Sequence, residues 1–260
     1  MGESNRPDVV SREEWLAARR ALLISEKEAV RAKDALNRRR RELPMVRVDK
    51  EYRFEGPDGP VTLLDLFDGE RQLVVQHFMF HPDWQAGCGS CTAAVDELSD
   101  GLLRHLRARG TVYAVIARAP LAKLERYRAE RGWTIPLYSS FGSDFNYDFH
   151  VTLDASVAPV QFNYRGPDEL RAAGLEWVLD PKDQPMEQPG MSCFLRDGRD
   201  GRDGRDGDEV FHTYSTFARG TEQVGGAYGI LDMTALGRQE DWEEPKGRSG
   251  TSRGAVPDFA

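Results

Sequence analysis

An alternation of apolar runs and amphipathic segments between residues 71 and 140 constrains the fold more than any other feature of this sequence. The runs "RQLVVQHFMF", "TVYAVIA" and "TIPLYSS" have the length of β-strands and are rich in β-forming residues. The two segments between them carry apolar residues at helical spacing and end at Gly110 and near Gly132, where glycine can stop a helix. This order predicts right-handed crossovers and a sheet with a parallel part.

The first amphipathic segment begins at a pair of cysteines, Cys88 and Cys91, in "QAGCGSC". The free N–H groups and the positive dipole end in the first turn of a helix favour thiolate over thiol. Cys88 gains most from this field, and Cys91, one turn further on, is close enough to resolve a mixed disulfide. The pair therefore predicts a redox centre with Cys88 as the nucleophile and Cys91 as the resolving cysteine. The apolar face of one continuous helix is predicted to run through Cys91, Val95, Leu98, Leu102 and Leu106.

Two other interpretations of the cysteine pair stay open on these residues alone. A closed zinc site needs four ligands, so histidines such as His77 or His81 would have to join the two cysteines. A non-catalytic interaction protein could instead keep the same scaffold for its surface. His77 and His81 are also candidates for supporting the redox pair, although strand alternation turns His77 opposite to Phe78.

A long helix is predicted to begin at Ser11, which forms a capping box pattern with Glu14. Pro44 stops the helix. Its otherwise charged surface carries an apolar stripe, which predicts docking on the rest of the chain or a homodimer through this helix. The stripe repeats every seven residues and consists of Trp15, Leu22, Ala29, Leu36 and Leu43.

Late in the chain, "SCFLR" and "EVFHTYS" predict an antiparallel hairpin. The connecting segment 197–208, "DGRDGRDGRDGD", has no apolar residue that could pack, so we expect a flexible loop without chemistry. The polar segment 238–260 is predicted to be a mobile tail.

Composition and charge exclude some classes of binding partner and indicate the cellular compartment. The formal net charge of −8 disfavours nucleic-acid binding, and no apolar run nears the roughly 18–20 residues of a membrane span. Three cysteines in a chain without an export signal pattern favour a reducing compartment, so we expect a cytoplasmic protein. The expected partner is a cytoplasmic thiol or disulfide, with no bound cofactor.

Several segments together resemble the bacterial family DUF899, whose members are thioredoxin-like: "RRELPMVRVDKEYRFEGPDGPVTLLDLFDGERQLVVQHFMF", "IPLYSSFGSDFNYDF", "GMSCFLRDG" and "GILDMTALGRQEDW". The resemblance extends from about Val9 to Trp242. It implies an α/β thioredoxin-like fold, in which helices flank a central mixed sheet. It also implies a dithiol–disulfide oxidoreductase, acting on an unknown disulfide or peroxide. The implied organisation is an N-terminal helical arm (9–44), a thioredoxin-like domain (45–237) with a peroxiredoxin-like insertion at about 139–190, and the polar tail (238–260).

The resemblance to thioredoxin adds two supporting candidates and one departure. Trp84 lies near the cysteines, though not adjacent to them, and Cys193 falls on the strand that abuts the active site in this superfamily. Thioredoxin has a cis-proline before that strand. Here Pro189 is one residue early, so that Gly190 or Met191 would take the cis-proline place.

Overall fold

A computed structural model describes residues 7–197, 209–223, 226, 231–234, 240–242 and 244. These residues belong to two compact units, one reaching to Pro44 and the other running over Met45–Gly226. The repeat loop 198–208 and most of the predicted tail lie outside the described residues.

The first unit contains helix α1, Arg12–Arg41. The Ser11 hydroxyl accepts the N–H of Glu14 at 3.2 Å, and the Glu14 carboxylate accepts the N–H of Ser11 at 2.9 Å. This reciprocal pair confirms the predicted capping box. No residue of α1 is buried, and the helix ends three residues before Pro44.

The described residues of the second unit form ten strands and five helices, numbered here in chain order. The strands are β1 (Val46–Arg47), β2 (Arg53–Gly56), β3 (Gly59–Thr62), β4 (Gln72–His77), β5 (Thr111–Ala117), β6 (Leu137–Ser139), β7 (Thr152–Leu153), β8 (Met186–Glu187), β9 (Gly190–Asp197) and β10 (Glu209–Phe217). The helices are α2 (Gly89–Asp96), α3 (Asp100–Arg107), α4 (Leu121–Arg131), α5 (Phe145–Asp148) and α6 (Pro167–Ala172). Short 3₁₀ helices lie at Asp65–Phe67, Glu176–Leu179, Pro181–Asp183 and Ala218–Gln223.

Eight strands form one mixed sheet in the order β1-β10-β9-β4-β5-β6-β2-β3. β4, β5 and β6 are parallel neighbours, as the alternation of strands and helices predicts. β9 runs antiparallel to β4, and β10 pairs antiparallel with β9, which confirms the late hairpin. This arrangement, with the cysteine-bearing helix directly after a central strand, is the thioredoxin-like α/β fold that the resemblance implies.

The central strands are buried on both faces, so the sheet separates two cores. The core on one face includes Phe78, Val115 and Cys91 and packs against α2, α3 and α4. The core on the other face includes Val75 and Phe145 and packs against α5. Among the described residues, none of the helices combines the length and the apolar character that crossing a bilayer requires.

The segment between β6 and β9, where the insertion is predicted, contains α5, the two-stranded sheet β7–β8 and α6. It has a small core of its own, formed by Leu153, Val160, Leu170 and Val178.

One helix prediction was wrong: the segment after Cys88 forms two helices rather than one. α2 ends at Asp96, and Ser99 adopts an extended conformation as the N-cap of α3. The Ser99 hydroxyl accepts the N–H of Leu102 at 3.1 Å. A serine hydroxyl offers the backbone an alternative to continuing the helix, which favours a new N-terminus at this position. The apolar spacing continues because both helices pack on the same core.

Candidate active site

The cysteine pair lies at the end of the central strand β4. The chain leaves the strand after His77, makes a ten-residue loop and returns, so that the Cys88 N–H donates to the carbonyl of Met79 at 2.9 Å. Cys88 is the N-cap of α2, and its carbonyl accepts the first helical hydrogen bond from the N–H of Thr92. The predicted position of the pair, at a junction between strand and helix, is therefore confirmed.

Gly87 makes the close return of the loop feasible. A Cβ at this position would lie 2.4 Å from Cε1 and Cζ of the buried Phe78 ring. Only a residue without a side chain therefore lets the loop approach the strand end closely enough to place Cys88 against Met79.

The surroundings of Cys88 favour its thiolate. A hydrogen bond from the Cys91 thiol is the largest influence, and the N–H groups of Cys91 and Ser90 and the Ser90 side chain act in the same direction. Together they lower the pKa of Cys88 to about 6, against an opposing effect of partial burial. The Cys88 side chain makes no capping hydrogen bond of standard geometry. The backbone N–H groups therefore stabilise its thiolate through their dipoles.

Cys91 has the opposite character. Its side chain is buried, with 5% of its surface exposed. Its pKa is raised, first because its thiol donates to Cys88 and then because of burial. The two sulfurs thus divide into a half-buried thiolate and a sheltered thiol. All three cysteines of the chain are unpaired in this structure.

His77 lies on the other face of the sheet from the cysteine pair. Its Nε2 is 2.8 Å from the Ser192 hydroxyl, and its ring packs against Phe145 and Phe149. Burial and then the neighbouring His212 lower its pKa to about 3. The structure brings His77 together with this polar and aromatic cluster rather than with Cys91.

His81 and Trp84 lie together in the loop before Cys88. Their ring centroids are 6.0 Å apart, and His81 Nδ1 accepts the N–H of Asp83 at 3.1 Å. Trp84 is 41% exposed. Neither side chain is among the groups that shift the pKa of Cys88, so a supporting role for either of them stays a prediction.

Cys193 lies on β9, opposite Val74 of β4. It is two residues from Met191, which packs in the same core as Cys91, so strand alternation places both on the cysteine-bearing face of the sheet. Burial raises the pKa of Cys193 to about 11. A third redox role for this thiol stays a prediction.

The pairing register of β4 and β9 locates the residues that correspond to the cis-proline of thioredoxin. Gly190 pairs with His77 and Met191 pairs with Gln76, so both belong to β9. Pro189 precedes the strand. The one cis peptide bond in the described part of the chain joins Gln184 to Pro185 and lies outside this region.

Within the described residues, no three His, Cys, Asp or Glu side chains are grouped so that they could hold a metal ion. Asp144, the N-cap of α5, and Asp148, its last residue, both pair with Lys50, whose Nζ lies 2.7 Å from each carboxylate.

Three contacts of the cysteine segment were not foreseen from the sequence, and all involve α4. Thr92 hydrogen-bonds to Tyr127, Asp96 pairs with Arg131, and Lys123 binds the loop before Cys88. The spacing of four residues between Lys123, Tyr127 and Arg131 is the signal that could have indicated one contact face of a helix.

A family model described as "Bacterial protein of unknown function (DUF899)" matches residues 4–253. The chain belongs to this family. The match covers nearly the whole sequence and extends slightly beyond the segment on which the resemblance was based. None of the curated proteins matches this DUF899 member.

Solved structures similar to this DUF899 protein include redox proteins of three bacteria. Peroxidoxin BcpB from Mycobacterium tuberculosis is 17% identical, with a TM-score of 0.30; the match covers 37% of this chain and 58% of that one, just over half its length. A PrxQ mutant from Xylella fastidiosa is 12% identical, with a TM-score of 0.37, over 66% of this chain and 84% of that one. A protein assigned as the thiol:disulfide interchange protein DsbE from Chlorobium tepidum is 13% identical, with a TM-score of 0.35, over 70% and 92%. Identities and TM-scores this low give no information about the reaction of this chain.

Proposed function

We propose that this DUF899 protein is a thiol–disulfide oxidoreductase in which Cys88 is the nucleophile and Cys91 the resolving cysteine. The observation that supports this best is the position of the half-buried Cys88 at the N-cap of α2 beside the buried Cys91, surroundings that lower the pKa of Cys88 to about 6. At neutral pH most Cys88 side chains then carry the thiolate, which is the attacking species in disulfide exchange.

The reaction proceeds in two exchanges. The Cys88 thiolate attacks one sulfur of a substrate disulfide, the substrate S–S bond breaks, and one thiolate leaves. The Cys91 thiol then gives up its proton to the departing thiolate and attacks the Cys88 sulfur, which releases the second substrate thiolate. Two electrons pass from the dithiol to the substrate, and a Cys88–Cys91 disulfide remains. A peroxide is the alternative substrate: the Cys88 thiolate would attack one peroxide oxygen, the O–O bond would break, and the other oxygen would leave as an alcohol or water after taking up a proton. The sulfenic acid left on Cys88 would then condense with the Cys91 thiol to the same disulfide with loss of water.

Oxidised glutathione tests the assignment of the two roles. We expect the reduced protein to form an intramolecular Cys88–Cys91 disulfide, Cys91→Ser to stop at a glutathione adduct on Cys88, and Cys88→Ser to form no adduct on Cys91. Peptide mass spectrometry after alkylation of the remaining thiols distinguishes these products. Cys193→Ser is the matched control, and it should form the same internal disulfide as the unchanged protein.

Two results would contradict the proposal. One is that Cys88 and Cys91 remain independent thiols after the oxidant has been supplied. The other is that Cys91→Ser and Cys88→Ser take up glutathione equally, because the two sulfurs would then not differ in reactivity.

A further inference from the structure

One face of α4 contacts the chain on both sides of the nucleophile. Lys123, Tyr127 and Arg131 follow one another at four-residue spacing and therefore lie along one side of the helix. Lys123 Nζ donates to the carbonyl of Trp84 at 2.9 Å and also to that of Pro82, both in the loop before Cys88. We call these three residues the α4 stripe.

The middle residue of the α4 stripe reaches the first turn of α2. The Thr92 hydroxyl lies 2.9 Å from the carbonyl oxygen of Cys88 and 2.8 Å from the hydroxyl of Tyr127. A threonine hydroxyl has a single proton, which here is directed at the Cys88 carbonyl. Tyr127 must therefore be the donor to Thr92, and the chain of hydrogen bonds runs from Tyr127 through Thr92 to the main chain of Cys88.

Packing holds the Tyr127 ring in place. Its centroid lies 5.5 Å from that of Phe80 and 5.6 Å from that of Trp133, both in edge contacts. Its Cε1 atom lies 3.5 Å from the position that a Cβ of Gly87 would occupy. Tyr127 thus borders Gly87, the residue before Cys88, and hydrogen-bonds to Thr92, whose hydroxyl donates to the Cys88 carbonyl.

At the far end of the stripe, α4 also anchors the C-terminal end of α2. Arg131 pairs with Asp96, whose other carboxylate oxygen accepts the Trp133 indole N–H at 2.8 Å. α2 is therefore fixed at both ends by one helix and the residues that follow it.

We propose that Tyr127 is a positioning residue for Cys88: through Thr92 it holds the Cys88 main chain so that the sulfur stays against the N–H groups of Ser90 and Cys91, a role that presupposes the reaction of Cys88 proposed above. Favourable dipole effects fall off within the first turn of a helix. A small displacement of the N-cap residue therefore weakens the stabilisation of the thiolate without removing any group that touches the sulfur.

Tyr127→Phe removes the hydroxyl and leaves the ring, and Tyr113→Phe is its matched control. The Tyr113 hydroxyl donates to Gln76 at 2.7 Å, and its ring packs in the same core. The measurement is the rate of Cys88 alkylation by iodoacetamide across the pH range, resolved by peptide mass spectrometry in the reduced protein. We expect Tyr127→Phe to react about threefold to fivefold more slowly near pH 6, because a rise of about one unit in the pKa of Cys88 lowers its thiolate fraction at that pH from about one half to about one tenth. Tyr113→Phe should coincide with the unchanged protein.

A double-mutant cycle tests whether Tyr127 acts through Thr92. Thr92→Val should reproduce the slower alkylation, Thr92→Ser should keep the normal rate because it retains the hydroxyl, and Tyr127→Phe with Thr92→Val should be no slower than Thr92→Val alone. Thr92→Ser also keeps the test valid if Tyr127→Phe does not fold. The shift of a pH profile in the folded protein is a change that a general loss of stability does not produce.

The proposal is overturned if Tyr127→Phe keeps the pH profile of the unchanged protein, if Tyr113→Phe shifts it equally, if Thr92→Ser is as slow as Thr92→Val, or if the effects of Tyr127→Phe and Thr92→Val multiply. A different result would instead contradict the proposed function: an unchanged protein whose Cys88 reacts with the pH profile of an ordinary cysteine.

Discussion

Gly87 directly precedes Cys88, and its backbone lies against the ring of Phe78. That ring is 1% exposed and also contacts Tyr127 and Trp133, so it cannot move aside without disturbing the core beneath α2. The position of the Cys88 sulfur therefore depends on a contact made by the residue before it.

Gly87→Ala should displace the loop and loosen the N-cap of α2. We expect a loss of about 1–3 kcal/mol in the free energy of unfolding, which is the usual cost of overpacking a core. We also expect slower alkylation of Cys88 near pH 6. Urea denaturation and the alkylation rate measure the two effects.

The control for this substitution is Gly101→Ala in α3. A Cβ there would meet only the Ser99 hydroxyl, at an ordinary 3.6 Å. It should stabilise the protein by roughly 0.5–1 kcal/mol, because alanine is the better helix former. Equal behaviour of the two variants would show that the contact of Gly87 with Phe78 is not important.

At the scale of single elements, the sequence predicts those helices and strands whose ends carry local signals. β5 covers Thr111–Ala117 as predicted, and α4 ends at Arg131 before Gly132, which adopts a left-handed conformation with φ of 68°. The break between α2 and α3 was missed because apolar spacing is the same on both sides of it. The N-cap at Ser99 lies inside a continuous apolar pattern and is recognised only in the structure, where the backbone changes direction.

The capping box of α1 yields a prediction for that helix alone. Ser11→Ala removes the hydroxyl that accepts the Glu14 N–H. We expect the first turn to lose about 1 kcal/mol of local stability, which is typical of losing an N-cap side chain. Hydrogen exchange at the N–H groups of Glu14 and Trp15, which donate to the hydroxyl and the carbonyl of Ser11, should become roughly fivefold faster.

Ser25→Ala is the matched control, since Ser25 lies in the exposed middle of α1. Alanine has the higher helix propensity, so exchange should be unchanged or slower. If Ser11→Ala has no more effect than Ser25→Ala, the capping box does not stabilise the helix. A homodimer through α1 stays a prediction.

On the scale of the whole second unit, a row of hydrogen-bonded polar side chains lies on the face of the sheet opposite the cysteines. His77 Nε2 contacts the hydroxyl of Ser192, which lies 2.8 Å from that of Ser215, and this in turn lies 2.7 Å from His212 Nε2. These hydrogen bonds link side chains of β4, β9 and β10. His77 Nδ1 is buried and has no hydrogen-bond partner among the described residues. A neutral imidazole therefore suits this position, and a charged one does not.

His77 should make the stability of the protein depend on pH. In the unfolded chain its imidazole takes up a proton near its ordinary pKa of 6.5, whereas in the folded protein its pKa is about 3. The unfolded state thus binds more protons between these values, and the free energy of unfolding falls with decreasing pH by up to about 1.4 kcal/mol per pH unit from this residue.

Urea denaturation at several pH values between 7 and 5 should show this slope. His77→Gln should reduce it, because glutamine keeps a neutral polar group beside Ser192 and takes up no proton. His105→Gln on the exposed surface of α3 is the control and should leave the slope unchanged. A His77→Gln variant with the full slope would mean that the acid sensitivity arises from other groups.

The sequence alone determined what depends on neighbours along the chain: the strand-length apolar runs, the capped start of α1, the glycine stop after α4 and the cysteine pair at a helix start. Strand alternation also indicated that His77 and Phe78 point in opposite directions. Only the tertiary structure decided which of these two directions leads to the cysteines. It also brought Tyr127, 36 positions after Cys91 in the sequence, to Thr92, whose hydroxyl donates to the Cys88 carbonyl. Such contacts are set by the order in which β4, β5 and β9 pair and by the packing of α4 on their shared face, and neither leaves a local signal in the sequence.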